Sequence, residues 1–326
     1  MAQIAGTTAT YDVGSTGGNR EDLEDVIWDL FAEESFCLSN LDKVEATGVF
    51  HEWLSDELAG ATTNAQLEGN QESYATAAAP TRLGNYNQIS DKLFLVSRTQ
   101  EKVAKAGRRS ELERLGMKKM RELKNDMEKA LVSGQGSSAG GDTTARSSAG
   151  MESWISTNII KATSTSDYTS PGYASGVVTA ATTAGSTTGA LTENAFIAAL
   201  EDAWSTGGMT SVILTNTAQK AVINAFAGVA TKNIDMSVGA AKQHAIIGAS
   251  DLYVSSFGNH QIVLHRYVRA SIVMCVDPDY WAVAFLDRPF VEPYAKTSDG
   301  EKRHMAAEFC LVSRNEKASA KVVACT

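Results

Sequence analysis

A polar stretch, Ala59–Pro80, limits the folds open to this chain more than any other feature. The stretch is rich in Ala, Asn, Gln and Gly, and two apolar segments, Val49–Leu58 and Tyr86–Val96, flank it. Strands on either side of a long polar connection predict a protruding two-stranded loop. Because the connection is so poor in Leu, Ile and Val, it cannot form a core of its own. We therefore expect it to lie across a neighbouring chain in an assembly.

The clearest predicted element is a helix over 110–133. Ser110 and Glu113 have the spacing of a capping box, which marks the start of a helix. An apolar stripe follows at helical spacing: Leu112, Leu115, Met120, Leu123, Met127, Ala130 and Leu131. Gly134 and Gly136 are expected to end the helix. Its length, about 36 Å at 1.5 Å per residue, is that of a long central element. A shorter helical piece over 99–106 is expected to precede it.

The rest of the chain mixes helices and strands without a repeating βαβ order, so the sequence predicts an α+β fold. Residues 1–18 are predicted to form an extended arm, followed by a short amphipathic helix over about 20–34 that Asn19 caps. Later helices are predicted over 192–204 and 217–227. Strands are predicted at Val212–Leu214, Ala245–Ser255, Gln261–Val268, Ser271–Val276, Trp281–Leu286, Met305–Arg314 and Ala318–Ala324.

Charge is distributed unevenly along the chain. The formal net charge is −9, which disfavours a general nucleic-acid binder. Residues 20–70 hold thirteen acidic side chains against two basic ones, whereas residues 98–129 hold eleven basic against six acidic. This asymmetry has three interpretations: opposite charges that meet between neighbouring copies, a basic surface facing a polyanion, or two solvated faces of an ordinary protein.

The sequence contains no pattern typical of an enzyme or a metalloprotein. The 4 cysteines form no C-x-x-C pair, and the 5 histidines form neither H-x-x-x-H nor H-E-x-x-H. The Gly134-Gln135-Gly136 loop lacks the preceding strand and the Gly-Lys-Ser/Thr of a phosphate loop. No Ser, His and Asp set suggests a catalytic triad. We therefore predict no catalytic, cofactor or metal site, and no enzymatic activity.

Neither a membrane span nor a signal peptide is predicted. The longest apolar runs fall short of the roughly 20 residues that cross a bilayer. The first ten residues lack both a basic flank and an apolar segment. The expected location is a cytoplasm-like compartment.

A series of short motifs runs from about residue 20 to the end of the chain. Its members are Arg20–Leu23, His51–Trp53, Asp56–Ala59, Asn85–Lys92, Val96–Gln100, Ala106–Arg108, Ser110–Leu112, Lys118-Lys119, Glu122–Lys124, Trp204, Gly207-Gly208, Phe257-Gly258, Glu308 and Asn315–Ala318. Each motif alone is weak, but their shared order and spacing are specific. In that order they resemble the major capsid proteins of tailed bacteriophages with the Hong Kong 97-like fold.

The resemblance implies an architecture of five segments. These are an N-terminal arm (1–46), an extended β-hairpin loop (47–96), the spine helix with the first part of a peripheral domain (97–190), an axial domain (191–279) and the remainder of the peripheral domain (280–326). It also implies a function. Copies of the chain would self-assemble into hexamers and pentamers of an icosahedral head around double-stranded DNA, in the host cytoplasm at first and then as part of the virion.

Two departures from the family pattern qualify the resemblance. Glu34-Ser35-Phe36 stands where the family usually has Thr-Pro-Phe, so the turn of the arm there is open. No lysine occurs between Lys43 and Lys92, so the covalent link that some members make through a loop lysine is not expected. The sequence also begins directly at the arm, without a long helical leader. We therefore expect a separate scaffolding protein, together with a portal.

The resemblance and the charge pattern nominate two groups of residues. The candidates for contacts between subunits are Arg20, Glu21, Asp22, Trp53, Asp56, Tyr74 and Tyr86. The basic candidates, for the inner face of a shell or a neighbouring subunit, are Arg108, Arg109, Lys118 and Lys119. Contacts with DNA would be independent of base sequence. Two other classes stay open: an encapsulin-type compartment shell, and a soluble enzyme with an unrecognised site.

Overall fold

Two β-sheets, a separate hairpin and one long helix make up the fold. The computed structural model describes residues 35–71, 76, 77, 79–173, 175–226 and 252–326. Within them the α-helices are α1 (Phe36–Asn40), α2 (Arg98–Lys102), α3 (Glu111–Val132), α4 (Met151–Trp154), α5 (Glu193–Ser205) and α6 (Thr217–Asn224). The strands are β1 (Asp42–Glu45), β2 (Phe50–Ser55), β3 (Thr81–Tyr86), β4 (Gln88–Ser97), β5 (Ile159–Lys161), β6 (Val212–Thr215), β7 (Leu252–Ser255), β8 (Gly258–Leu264), β9 (Val273–Val276), β10 (Trp281–Pro293), β11 (Gly300–Ser313) and β12 (Ala320–Val323). This mixture agrees with the predicted α+β class.

The long helix α3 begins where the capping box predicts. The Ser110 hydroxyl accepts a hydrogen bond from the Glu113 backbone N–H at 3.2 Å, which satisfies one of the free donors of the first turn. The apolar stripe turns inward, and Leu123, Met127 and Leu131 are buried. The helix ends at an extended Ser133 and not at a glycine cap. Gly134 is needed for another reason: a side chain there would collide with Thr182 and Glu152.

A four-stranded sheet of order β1-β10-β11-β4 lies against α3. β10 and β11 form a long antiparallel hairpin, β1 runs parallel to β10, and β4 runs antiparallel to β11. On β4 the side chains alternate between the two faces, as in any strand. A side chain at Gly116 of α3 would touch Phe94 and Met305, so this face of the sheet is the one that α3 covers.

A six-stranded mixed sheet has the order β5-β12-β9-β6-β8-β7. The predicted buried strand at Val212 is confirmed, and all four residues of β6 are buried. α5 packs on one face, where Phe196 and Leu200 join a core with Ile213. The opposite face shares the main core with α3, which includes Leu123, Met127 and Leu131. The sheet therefore lies between two apolar clusters.

The hairpin differs from the prediction in its second strand. β2 pairs with β3, from Phe50 opposite Tyr86 to Ser55 opposite Thr81. The segment predicted as the return strand, Tyr86–Val96, instead supplies β4, which pairs with β11. The reason is burial. Phe94 and Val96 pack on the body of the protein, whereas the β2–β3 ribbon has little apolar surface to offer them.

The strands β10 and β11 are longer than predicted. The sequence predicts a strand only to Leu286, but β10 continues to Pro293 through irregularities in register around Asp287. Such bulges let a strand accept Pro289, whose missing N–H argues against a regular strand. The predicted helix over 20–34 lies outside the described residues, as does most of the strand predicted from Ala245. No helix of the described residues is long and apolar enough to cross a membrane.

Candidate assembly surfaces

The connection between β2 and β3 is the most exposed part of the described chain. Every described residue from 56 to 82 is exposed, including two leucines. Leu58 is 100% exposed and Leu67 is 83% exposed. Apolar side chains so fully in water contribute nothing to the fold of a single copy. Their position suits a segment that is covered by another molecule.

The base of the hairpin, in contrast, is firmly tied to the body. Asn85 is fully buried, its amide nitrogen donates to the Leu311 carbonyl at 2.7 Å, and its oxygen accepts from the Ala149 N–H at 2.9 Å. Asn87 donates to the Gly48 carbonyl at 2.6 Å. These bonds hold the strands from both sides of the ribbon. The hairpin therefore projects at a fixed angle although its tip lacks a core.

A second tie lies at the start of the exposed connection. The Lys317 ammonium is 2.7 Å from the Glu57 carboxylate, and this hydrogen bond raises the pKa of Lys317 above its ordinary value. Both side chains are partly exposed, so the pair adds little to stability. Its effect is on position: it draws the first residues of the connection towards the 3₁₀ turn Glu316–Ala318.

The predicted contact residues of the hairpin have different environments. Trp53 is half-buried, and its indole N–H donates to the Ser313 carbonyl of the same chain at 2.7 Å. The Tyr86 ring lies 4.6 Å from the ring of Phe50 on the paired strand. Asp56 is exposed at the start of the connection. The remaining candidates, Arg20, Glu21, Asp22 and Tyr74, lie outside the described residues.

The four basic candidates on and before α3 divide into two pairs. Arg108 forms an ion pair with Glu111, and Lys119 lies 2.7 Å from Glu122. Among the described residues no ion pair involves Arg109 or Lys118, and Arg109 is exposed. The charges of Arg109 and Lys118 are therefore the ones available to another molecule. Sequence spacing alone does not give this division, because Glu122 also lies four residues after Lys118 and Glu113 four residues after Arg109.

Glu111 stabilises the start of α3 through ion pairs with Arg108 and Arg114. Its side chain is nearly buried, and the Arg114 guanidinium, together with Arg108, holds the pKa of Glu111 below its ordinary value. A carboxylate in the first turn also interacts favourably with the positive end of the helix.

The β4 side of one face of the four-stranded sheet is open to solvent, whereas Cys310 and Val312 on the same face are buried. On β4 the side chains that point away from α3 include Ile89, Leu93 and Leu95, which are 51%, 58% and 53% exposed. Across the sheet His304 pairs with Leu93, and its ring stacks on Tyr294 at 5.1 Å. β4 also lies at the edge of the sheet. This open face is a second apolar surface beside the exposed connection.

The buried ionisable groups serve the fold. Lys321 is fully buried, and its ammonium donates to the Glu152 carbonyl at 2.6 Å, the Tyr168 hydroxyl at 2.9 Å and the Ser170 hydroxyl at 3.2 Å. Burial lowers the pKa of Lys321 to about 7. Because each of its three N–H groups has an acceptor in a closed interior, this lysine joins α4 and the loop that contains Tyr168 and Ser170 to β12.

The cysteines are equally enclosed. All four are free and buried, and burial raises the pKa of Cys275 and of Cys310 to about 12. Such thiols are unreactive at neutral pH. Within the described ranges no group of three or more His, Cys, Asp and Glu side chains could hold a metal ion.

Comparisons with known proteins concern the family and the fold of the chain. A family model described as SU10 major capsid protein matches residues 4–326. No curated protein matches the chain significantly. The structure of a cyanophage A-1(L) capsid asymmetric unit is 14% identical over 98% of this chain and 100% of its own, with a TM-score of 0.67.

Two further structures show the same likeness of fold. The capsid of a native GTA particle is 11% identical over 96% of this chain and 98% of its own, with a TM-score of 0.62. A satellite phage P4 procapsid that includes the size determination (Sid) protein is 11% identical over 89% of this chain and 86% of its own, with a TM-score of 0.50. At these identities the structures are evidence for the fold alone.

Proposed function

The chain belongs to the SU10 major capsid protein family, and from this premise we propose that its copies form the hexamers and pentamers of an icosahedral head around double-stranded DNA. The family is one of structural capsid proteins, so the chain is a component of the virion and not an enzyme. The function then depends on many modest contacts between identical copies. Rotational symmetry allows these contacts to close a shell.

The observation that carries this proposal is the hairpin with its exposed connection. A single copy leaves Leu58 and Leu67 in water at the end of a ribbon whose base is held by Asn85. In an assembly the connection would lie over an adjacent subunit, which would supply the apolar surface that this chain lacks. The open face of β4 is apolar as well, and it offers one such surface.

We further propose that the architecture is Hong Kong 97-like in detail. Under this proposal residues 1–46 are the N-terminal arm, 47–96 the extended loop, and α3 the spine helix. Residues 191–279 would form the axial domain, and the flanking segments 97–190 and 280–326 the peripheral domain. The six-stranded sheet supports a close connection between these domains, because β5 and β12 come from the peripheral segments and the other four strands from the axial one.

The uneven charge favours contacts between copies. The described part of the connection holds Asp56, Glu57 and Glu68, and no Lys or Arg occurs between residues 56 and 81. We propose that this acidic surface meets basic residues of an adjacent α3, and that Arg109 and Lys118 also face the packaged DNA. Attraction to phosphates would be independent of base sequence and would weaken with salt.

A pair of neighbouring lysines tests this role. Lys118→Gln should reduce shell yield or DNA retention, because its charge has no ion-pair partner among the described residues. Lys119→Gln is the matched control, since Glu122 already neutralises that charge. If Lys118 contacts a phosphate, its loss should reduce the slope of the logarithm of the DNA-binding constant against the logarithm of the salt concentration by about 0.9. Unchanged assembly and retention after reversing both charges would remove both roles.

The proposed function itself is tested by shortening the loop. Negative-stain electron microscopy and size-exclusion chromatography of the full chain should show capsomers or shell-like particles. A variant in which a short Gly-Asn-Gly turn replaces residues 59–79 should still fold, because the described residues of that stretch are all exposed, but it should not form shells. A full-length chain that stays monomeric or dimeric, or a shortened chain that still builds normal shells, would contradict the proposal.

We also propose a separate scaffolding protein and a portal as partners. The similar P4 structure is a procapsid that contains a size determination protein, so a subunit of this fold assembles there with an accessory protein. Efficient formation of correct closed shells by this chain alone would contradict the need for scaffolding. The encapsulin-type alternative is not favoured, because the matching family is that of a phage-type major capsid protein.

A further inference from the structure

Glu128 is a buried carboxylate that connects three separate segments of the chain. It lies on the inner face of α3 and is 0% exposed. Its oxygens accept hydrogen bonds from the backbone N–H groups of Cys37 at 2.6 Å and Leu38 at 3.1 Å. The Nε2 atom of His265, whose side chain is also fully buried, lies 3.1 Å away.

The bonds to Cys37 and Leu38 cap a helix from outside its own segment. Both residues lie in the first turn of α1, whose N–H groups have no partner within the helix. Ser35, at the usual capping position, makes no side-chain capping bond. The Glu128 carboxylate, which belongs to α3, accepts the capping hydrogen bonds instead. Because α1 follows residues 1–34 directly, this cap fixes the point at which that segment joins the subunit.

His265 connects the same carboxylate to the six-stranded sheet. Its Nδ1 accepts a hydrogen bond from the Tyr267 N–H at 3.3 Å, so the proton of the neutral ring lies on Nε2 and is donated to Glu128. The His265 N–H donates to the Thr215 carbonyl at 2.9 Å, at the end of β6. The position of α1 is thus tied both to α3 and to this sheet.

The energetics of this arrangement favour a role in position over a role in stability. A buried ionised group loses its hydration, and replacing such groups with apolar side chains is often neutral or stabilising. A hydrogen bond to a charged acceptor is nevertheless directional, and several of them fix relative orientation. Burial and the Glu128 carboxylate also raise the pKa of the Cys37 thiol well above its ordinary value, which shows how closely the charge is enclosed.

We propose that Glu128 is a positioning residue for assembly: it sets, relative to α3 and the six-stranded sheet, the point from which residues 1–34 meet neighbouring copies. The inference rests on the proposed shell-forming function. It assigns to one buried side chain the geometry with which the N-terminal segment takes part in contacts between subunits.

The test compares Glu128→Gln with Asp277→Asn in the full chain. Asp277 is a matched control, since it is also a buried carboxylate that accepts from two backbone N–H groups, those of Met209 at 3.2 Å and Asp279 at 3.3 Å. It does not touch α1. Both variants should lose comparable stability in denaturant. Only Glu128→Gln should reduce hydrogen-exchange protection at Cys37 and Leu38, by about tenfold, the factor for one lost bond to a charged group.

The deciding measurement is the yield of closed shells, because a purely structural role of Glu128 would leave that yield unchanged. Glu128→Gln should give a closed-shell yield lower by a factor on the order of ten, with aberrant particles in electron micrographs, whereas Asp277→Asn should give normal shells. Equal yields for the two variants would overturn the inference and leave the proposed function intact. An unaltered chain that stays monomeric or dimeric, also when its scaffolding protein is supplied, would instead overturn both.

A second variant decides the matter where Glu128→Gln does not fold. His265→Leu keeps the cap on α1 and removes the tie to the six-stranded sheet. It should retain protection at Cys37 and Leu38 and still give aberrant particles. Normal shells from His265→Leu, or a loss of protection at Cys37 equal to that elsewhere in the chain, would contradict the inference.

Discussion

Replacing the two exposed leucines of the hairpin connection by serine should separate folding from assembly. In one copy Leu58 is 100% exposed and Leu67 is 83% exposed, so neither side chain stabilises the isolated subunit. The double variant Leu58→Ser, Leu67→Ser should therefore unfold with the same free energy as the unaltered chain, within about 0.5 kcal/mol.

Assembly should respond quite differently. Fully burying one leucine contributes roughly 1.5–3 kcal/mol, so covering both against a neighbour contributes about 3–6 kcal/mol for each copy. Since each 1.4 kcal/mol corresponds to about tenfold in an equilibrium constant, the association constant of that contact should fall by roughly a hundredfold to ten-thousandfold. The concentration at which shells first form should rise accordingly.

Two measurements on the same preparation test the argument. Chemical denaturation gives the free energy of unfolding, and light scattering against protein concentration gives the threshold for shells. Leu123→Ala is the opposite control, because this leucine is fully buried in the core; it should lose about 2–5 kcal/mol of stability. A threshold that moves by less than about threefold in the double variant, under about 1 kcal/mol, would refute the reasoning that a neighbour covers these side chains.

Three further predictions concern the fold that carries the hairpin. Asn85→Ala should lower the free energy of unfolding by about 2–4 kcal/mol in denaturant, because it leaves the Leu311 carbonyl and the Ala149 N–H buried without partners; a loss below about 0.5 kcal/mol would contradict this. Trp53→Phe should cost about 1–2 kcal/mol through the bond to the Ser313 carbonyl, also in denaturant, and no loss would show that this bond is unimportant. The pKa of Lys321 falls from 10.5 to about 7 on folding, so the unfolded chain binds more protons between those pH values and stability rises with pH over that window. Lys321→Met should lack this rise, and parallel curves of unfolding free energy against pH for the two proteins would disprove the assignment.

Local signals in the sequence predict α3 well, because its start and its inward face depend on residues close in the chain. Ser110 caps it, and the stripe through Leu123 and Leu131 is buried as the spacing requires. The partner of β2 is set at long range. Thr81–Tyr86 has no alternating apolar pattern, and only the packing of Phe94 on α3 reveals that the next segment belongs to another sheet.

The candidate assembly surfaces also combine features that the local sequence predicts with features that only long-range packing determines. Composition alone predicts an uncovered connection between two strands, because a segment so poor in large apolar side chains cannot form a core. It does not show that the indole of Trp53 is already bonded within the chain, nor that Glu128, next to Met127 in the apolar stripe, is a buried cap. A carboxylate on the inward face of an amphipathic helix is the signal that would have identified Glu128.

The base of the hairpin is held to the body, whereas the connection at its tip is exposed. Proteolysis of the connection should therefore report whether a subunit has assembled. Between residues 56 and 81 the chain offers Glu57, Glu68 and Glu72 to a glutamate-specific protease but no lysine or arginine to trypsin. Free subunits should therefore be nicked within the connection by the first enzyme and spared there by the second. Once a neighbour lies over the connection, the glutamate sites should become resistant too, so a simple digestion time course would follow particle formation without a microscope.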